Sequence, residues 1–210
     1  MPFIEHAGKR FLFIHVPKTG GSTLEAWLAG IAPLAFHAVG APPNCAKITP
    51  QHCTHNDLTA YFPRNWFDFK FTVVRNPYTR IESEYRMRHV LATAGPMGGF
   101  PPFGNWLERT LEQYHSNPWV LDNHIRPQVQ FLGEGVHMYR LEEGMETIVR
   151  RICAASGLPA PGILGREMSS ETFGGELVWS AYEIALVQDF YAGDFQRLGY
   201  STDVADLRQT

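Results

Sequence analysis

The sequence predicts an α/β fold, with a central parallel sheet and helices on both faces, for three reasons. Short, nearly continuous apolar runs alternate with segments of helical periodicity, as expected of strands that are buried on both sides. The connections between these segments are short. The chain has 210 residues, of which 44% are hydrophobic, and no linker divides it. We therefore expect one domain over residues 1–210.

The predicted elements begin with a strand at residues 10–16 (RFLFIHV), which ends at Pro17. A turn, KTGGST, follows, and apolar residues then recur at helical spacing over residues 24–31. Phe69–Val74 is a second buried strand. Asn76 and Pro77 then supply an N-cap and a first turn for a helix that we expect to run to about Leu91.

The remaining elements are less sharply delimited, because their boundaries carry weaker signals. A third strand and two further helices are the clearest of them. In chain order we expect a short helix at His55–Tyr61, a loop at Gly95–Gly104, helical segments at Asn105–Tyr114 and Asn123–Phe131, a strand at Val136–Leu141, a helix at Gly144–Ser156, a loop at Gly162–Gly175 and a long helix at Leu177–Phe195.

Charge excludes a nucleic-acid surface and indicates where an anion would bind. The formal net charge is −3, without a Lys/Arg run, so no nucleic-acid partner is expected. Residues 1–130 contain 12 Lys/Arg and 9 Asp/Glu, whereas residues 131–210 contain 6 and 12. An anion site therefore belongs in the first part. Three cysteines, no apolar stretch of 18 residues and no signal-peptide layout predict a cytoplasmic protein without a transmembrane segment.

The loop after the first strand has the composition of an anion site. Its residues are Pro17, Lys18, Thr19, Gly20, Gly21, Ser22 and Thr23. Two glycines let successive backbone N–H groups point into one hollow, and the following helix adds its positive end. The lysine precedes the glycines, unlike in the nucleoside-triphosphatase loop. No strand ends in the Asp of a magnesium site, so we expect no metal.

A second anion motif follows the second strand. Arg75 comes directly after that strand, and Ser83 lies about two turns into the next helix. A guanidinium and a helical hydroxyl in this arrangement are able to hold one phosphate between them. Alone, this spacing is more typical of an arginine that pairs with a carboxylate and a serine that faces solvent.

Together, PKTGGST and VVRNPYTRIES resemble the two cofactor motifs of sulfotransferases that use 3′-phosphoadenosine 5′-phosphosulfate (PAPS). The segment FKFTVVRNPYTRIESEY is similar to the carbohydrate-type branch, which includes the heparan and chondroitin enzymes and bacterial relatives. Weaker similarity extends to HIRPQ at 124–128, YRLE at 139–142 and YAGDF at 191–195. The resemblance implies a P-loop-type domain and a sulfuryl transfer from PAPS to an acceptor hydroxyl.

The resemblance also implies roles for individual residues. Residues 17–23 would hold the 5′-phosphosulfate, with Lys18 neutralising the departing phosphate, while Arg75 and Ser83 would hold the 3′-phosphate. Histidine suits a general base near neutral pH. His52 and His55 are the catalytic candidates, because relatives carry a histidine in this segment.

The acceptor site is less defined by the sequence. His124, Arg126 and Gln128 are candidate contacts with the acceptor, which is a carbohydrate or a small metabolite. The loop at Gly95–Gly104 and the segment Trp119–Gln130 are expected to shape this site.

Other functions remain open from the residues alone. A nucleotide-dependent kinase and a non-catalytic binder of 3′-phosphoadenosine nucleotides are the two alternatives. A zinc site at Cys45, His52, Cys53 and His55 is disfavoured, because the spacing is not an ordered pair of ligand hooks.

Overall fold

The computed structural model describes residues 1–38, 46–93, 99–164 and 177–208. It confirms the α/β class, with a four-stranded sheet in the order β1-β2-β3-β4. β2, β3 and β4 run parallel to one another, and β1 pairs antiparallel with β2. The strands are β1 (Phe3–His6), β2 (Lys9–Ile14), β3 (Phe69–Val74) and β4 (Val136–Arg140).

Helices connect and cover the strands. In chain order they are α1 (Gly21–Ala29), α2 (His55–Leu58), α3 (Pro77–Thr93), α4 (Phe103–Ser116), α5 (Met145–Ser156), α6 (Ala181–Phe190) and α7 (Ala192–Leu198). Short 3-10 turns occur at Pro50–His52, Val120–Asn123, Gln128–Phe131, Leu141–Glu143 and Val204–Arg208.

The alternation of side chains along β2 divides the core between the two faces of the sheet. Phe11 and Phe13 pack into a cluster with residues of α1 and α5. Leu12 and Ile14 point the other way, into a cluster that includes Leu58 of α2. All four side chains are at most 3% exposed, which explains why this strand reads as a continuous apolar run.

The second and third predicted strands are confirmed, and β1 was missed. β1 forms a hairpin with β2 through Ala7 and Gly8, whose φ angles are 49° and 75°. Two consecutive positive φ angles are those of the tight turn that fits the twist of a hairpin. Ala is unusual at the first of these positions, so the local sequence did not indicate the turn.

The prediction of one long helix at Leu177–Phe195 is wrong. The helix begins only at Ala181, because Ser180 caps it in a capping box with Glu183. It is also interrupted at Tyr191, after which α7 begins. The predicted helix at Asn123–Phe131 is likewise wrong, since that segment forms turns. Parts of the two predicted loops, residues 94–98 and 165–176, lie outside the described residues.

The parallel strands place the proposed motifs at one edge of the sheet. The carboxyl ends of β2, β3 and β4 meet there, and ligands of open α/β sheets bind outside this edge. The loop at residues 17–23 follows β2, and Arg75 follows β3 directly. Within the described part of the chain, no helix has the length and apolar character needed to cross a membrane.

Candidate active site

The loop between β2 and α1 leaves the first turn of the helix open to a ligand. Gly20 precedes α1 in a left-handed conformation (φ 82°), and no side chain caps the helix. Lys18 is also left-handed, with φ 69°. A non-glycine residue in this region carries strain, which is common where a backbone is shaped for function. The uncapped N–H groups and the helix dipole together favour an anion.

Gly21 is required by close packing, and Gly20 by its left-handed conformation. A Cβ on Gly21 would overlap the imidazole ring of His15, and a Cβ on Gly20 would meet the side chain of Met145. The loop therefore lies directly on residues from the end of β2 and the start of α5. This packing fixes the curvature on which the N–H groups depend.

The other residues of the loop divide between structure and surface. Thr19 is fully buried and its Oγ1 donates to the carbonyl of Val16, 2.7 Å away, so it closes the turn. Pro17 and Thr23 are buried, whereas Ser22 is exposed at the first turn of α1. Ser22 is thus the loop hydroxyl that is open to solvent.

Arg75 brings the two motifs together. Its Nη1 donates to the backbone carbonyl of Lys18 at 3.3 Å, and its Nε donates to Thr79 Oγ1 at 3.0 Å. Thr79 and Ser83 are four residues apart on α3 and therefore share a face of that helix. Ser83 is buried, at 7% exposure. Arg75 thus lies beside the glycine loop, and Ser83 lies on the face of α3 that carries Thr79, the hydrogen-bond partner of Arg75.

Gln128 has a different role from the one that the sequence indicated. Its side chain is fully buried. Its Oε1 accepts from the N–H of Arg75 at 2.9 Å, and its Nε2 donates to the carbonyl of Arg75 at 2.7 Å. Asp194 holds the Gln128 backbone N–H at 2.9 Å. The amide therefore fixes the strand-end arginine and is not available to an acceptor.

Three histidines lie in contact beside the loop, and each is hydrogen-bonded to its own carboxylate. The ring centroids are 5.0 Å apart for His15 and His52, and 4.8 Å apart for His52 and His124. The Nδ1 atoms lie 2.7 Å from a carboxylate oxygen in every case. The pairs are His15–Glu25, His52–Asp122 and His124–Glu84.

Burial determines the protonation of this cluster. It lowers the pKa of each of the three histidines, although the paired carboxylates act in the opposite direction. Burial would raise the pKa of Glu84, but His124, Arg88 and Lys18 outweigh it and lower that pKa to about 2. The histidines are therefore neutral and the carboxylates ionised near pH 7.

Glu84 connects the histidines to the lysine of the loop. It is completely buried, and its Oε1 accepts from Arg88 Nε at 2.7 Å while its Oε2 pairs with His124. Burial lowers the pKa of Lys18, and the charge of Glu84 partly restores it. The Nζ of Lys18 lies 3.3 Å from Met87 Sδ. Lys18 and His124 therefore share one buried anion.

The structure does not bring His55 into this cluster. The ring of His55 packs against Gly133, just before β4. Val136, at the start of β4, pairs with Lys70 near the start of β3. His55 therefore lies toward the opposite end of the strands from Arg75. The length of the six-residue strand β3, about 16 Å, separates these two ends. Of the two predicted catalytic histidines, only His52 is beside the loop.

The acceptor candidates are placed as follows. Arg126 lies near the surface, where its Nε donates to Gln130 Oε1 at 2.7 Å and its Nη1 donates to Asn123 Oδ1 at 3.2 Å. His124 lies between Glu84 and His52. Arg126 and His124 therefore stay candidates for contact with the acceptor.

One group of side chains has the composition of a metal site. Within the described residues, ligand atoms of His52, Asp122 and His124 lie within 4.8 Å of one another. Hydrogen bonds inside these pairs and to Glu84 already account for the arrangement. The zinc alternative depended on Cys45, which lies outside the described residues. The absence of a metal stays a prediction.

The sequence did not indicate several residues that shape this site, namely Asp122, Glu84 and Arg80. Arg80 is buried, and its Nε and Nη2 donate to the carbonyls of Pro17 and His124 at 3.0 and 2.7 Å. It thereby joins the loop to the histidine segment. A signal existed only for Glu84, which stands one turn before Arg88 on the predicted helix, in the spacing of an ion pair.

These features define an α/β protein whose strand ends form an anion site beside a buried histidine cluster. The chain belongs to the sulfotransferase family: a model of that family matches residues 2–201. Among curated proteins and solved structures, no significant similarity to this chain is found. The family membership supports sulfuryl transfer in general.

Proposed function

We propose that this protein transfers a sulfuryl group from PAPS to a hydroxyl of an acceptor. The main support is the 3.3 Å hydrogen bond from Arg75 to the carbonyl of Lys18, because it joins two differently built anion motifs at one site. A donor with one phosphate on the 3′ position and another on the 5′ position of its ribose requires two such motifs close together. A simple phosphate site would need only the first.

The residues present fit such a donor. The uncapped N–H groups of Thr19–Thr23, together with Lys18, suit a 5′-phosphosulfate. Arg75 and Ser83, on the side of the loop toward α3, suit a 3′-phosphate. Recognition of the 3′-phosphate would distinguish this nucleotide from ATP.

The reaction requires one proton acceptor and one positive charge. The acceptor oxygen forms a bond to sulfur, and the bond from sulfur to the bridging phosphate oxygen breaks. His52 Nε2 takes the proton of the hydroxyl, while Lys18 neutralises the charge that develops on the leaving phosphate. A neutral His52 is competent for this step, since burial lowers its pKa.

The acceptor is a carbohydrate or a small metabolite that approaches from the side of His124 and Arg126. Arg126 is the more accessible of the two, and its guanidinium is held by two side chains of the same segment. A fixed guanidinium favours a polar or anionic group on the acceptor.

The test is transfer of labelled sulfur from PAPS to mixtures of hydroxyl acceptors. Lys18→Ala is expected to lower the rate by at least 100-fold, while Lys9→Ala, an exposed lysine of β2, leaves it unchanged. Calorimetry with 3′-phosphoadenosine 5′-phosphate should show binding that Arg75→Ala weakens. Absence of nucleotide binding in the intact protein would refute the proposal.

Two outcomes would favour the other functions. Tight binding of the nucleotide without turnover on any acceptor would indicate a binder. Magnesium-dependent binding of ATP that Arg75→Ala leaves unchanged would indicate a kinase.

A further inference from the structure

Three consecutive residues beside the histidine cluster adopt the left-handed conformation. Leu121, Asp122 and Asn123 have φ angles of 54°, 58° and 63°, and none of them is glycine. A non-glycine residue in this conformation is strained, somewhat less so for Asp and Asn. A run of this kind persists only where the surroundings hold it, and it is concentrated at functional sites.

The strained turn holds His52 from two directions. Asp122 Oδ2 accepts from His52 Nδ1 at 2.7 Å. Asn123, which is fully buried, donates from Nδ2 to the backbone carbonyl of His52 at 2.9 Å. The ring and the backbone of one histidine are thus fixed by neighbouring residues, about 70 positions away in the chain.

The carboxylate itself cannot rotate away. Thr49 donates to it twice, from its N–H at 2.6 Å and from its Oγ1 at 2.8 Å. With the bond from His52, Asp122 accepts three hydrogen bonds. These bonds lower the pKa of Asp122, although burial acts to raise it.

The geometry determines which nitrogen of His52 carries the proton and which carries the lone pair; Gln51 Nε2 lies 3.3 Å from the second of these, Nε2. An ionised carboxylate can only accept hydrogen bonds, so Nδ1 of His52 carries the proton. In a neutral imidazole the lone pair then belongs to Nε2. This is the nitrogen that a general base needs.

We infer that Asp122, presented by the left-handed turn, is a positioning residue that fixes the tautomer and orientation of His52. The inference rests on the proposed function, in which His52 takes the proton of the acceptor. Asp122 touches neither substrate; it acts through the imidazole.

The test variant is Asp122→Asn, which keeps the size of the side chain. In this variant the amide nitrogen of the new Asn side chain would lie beside Nδ1 of His52 and donate a hydrogen bond to it. The imidazole proton would then move to Nε2. The same change in serine proteases lowers kcat about 10⁴-fold for this reason. We expect kcat to fall by about 10²–10⁴-fold, with the affinity for 3′-phosphoadenosine 5′-phosphate unchanged within twofold.

The chain contains a closely matched control. Asp57 accepts from the N–H and Oγ1 of Thr54 at 2.6 and 2.8 Å, the same two bonds that Asp122 receives from Thr49. No histidine donates to Asp57 among the described hydrogen bonds. Asp57→Asn therefore makes the same chemical change at a threonine-bonded carboxylate without touching a histidine, and it should leave kcat unchanged.

Two measurements separate positioning from a merely structural role. Nitrogen chemical shifts should show His52 protonated at Nδ1 in the wild type and at Nε2 in Asp122→Asn. The acid limb of the kcat profile should move to lower pH in the variant, since Asp122 raises the pKa of His52. Thr49→Val, which removes one of the three bonds, should reproduce a smaller part of both changes.

Several results would overturn the inference. These are an unchanged tautomer in Asp122→Asn, an equal loss of kcat in Asp57→Asn, or restoration of activity by added zinc, which would make the aspartate a metal ligand. The tautomer is measured without substrate. A wild type that transfers no sulfuryl group but shows the Nδ1 tautomer would therefore refute the function and not the pairing.

Discussion

Gln128 offers a sharp test of how the site is built, because the structure assigns it to Arg75 and the sequence assigned it to the acceptor. Its amide forms two hydrogen bonds to the backbone of Arg75, at 2.9 and 2.7 Å. In Gln128→Leu the new side chain has a similar volume, but the N–H and the carbonyl of Arg75 lose their hydrogen-bond partner.

The expected cost follows from those two groups. Each polar group left unpaired in the interior costs about 1–3 kcal/mol. Gln128→Leu should therefore lower the free energy of unfolding by about 2–6 kcal/mol. At about 2–4 °C per kcal/mol for a chain of this size, Tm should fall by about 4–24 °C. Nucleotide affinity should also fall by about tenfold, since Arg75 loses its fixed position.

Gln128→Glu separates the hydrogen bonds from the volume. A carboxylate can accept from the N–H of Arg75 but cannot donate to its carbonyl. It also stands beside Asp194, whose Oδ2 is 3.3 Å from Nε2 of the native glutamine. Two buried carboxylates repel, so this variant should be at least as unstable as Gln128→Leu at pH 7.

The assay is thermal unfolding together with calorimetry of 3′-phosphoadenosine 5′-phosphate. Gln113→Leu on the exposed side of α4 is the control, and it should shift Tm by less than about 2 °C. A Gln128→Leu variant with the wild-type Tm and nucleotide affinity, but with a raised KM for acceptor, would refute the reasoning and restore the acceptor role.

Three further predictions follow from the fold and the cluster. Gly21→Ala should abolish nucleotide binding in calorimetry, because its Cβ overlaps the ring of His15, whereas Gly162→Ala, which meets no atom within 4 Å, should not. The three buried histidines have pKa values below 6.5 in the folded state. Below about pH 6.5 the unfolded chain therefore binds more protons than the folded protein. The free energy of unfolding should then fall by up to about 1.4 kcal/mol per pH unit for each histidine. Urea unfolding between pH 7.5 and 5.5 would show this decrease. Ser180→Ala should lower the free energy of unfolding by about 1 kcal/mol in the same assay, because it removes the cap of α6.

Local signals in the sequence were sufficient for the three parallel strands and for the two motifs at their carboxyl ends. The run FKFTVV and the pair Asn76-Pro77 predicted β3 and the start of α3, and Asn76 does cap that helix, accepting from the N–H of Tyr78 at 2.9 Å. Helix boundaries were harder to predict. The Ser180-x-x-Glu183 capping box is present in the sequence. The apolar periodicity continues through it, however, and predicts a longer helix.

The rest of the site depends on pairings that no local pattern contains. Asp122 stands in an unremarkable stretch, VLDN, and nothing in it indicates three left-handed residues. The partners of Gln128 are the backbone of a strand end and Asp194, 66 positions away. Burial of Gln128 is decided by those partners, and the local sequence Arg126-Pro127-Gln128 gives no sign of it.

The same distant pairings explain how His52, inside the buried histidine cluster, would stay neutral near pH 7, as the proposed general base requires. A histidine without a carboxylate in this position would have its pKa lowered by burial alone and would orient freely. A histidine on an exposed carboxylate would be charged more readily and would lose its lone pair. Burial and the carboxylate act in opposite directions on the pKa of His52, and burial prevails, so the imidazole is neutral while the hydrogen bond still selects its tautomer. In the proposed reaction, the tautomer of His52 therefore depends on Asp122, and its protonation state depends on burial of the ring, against which His15 and His124 pack.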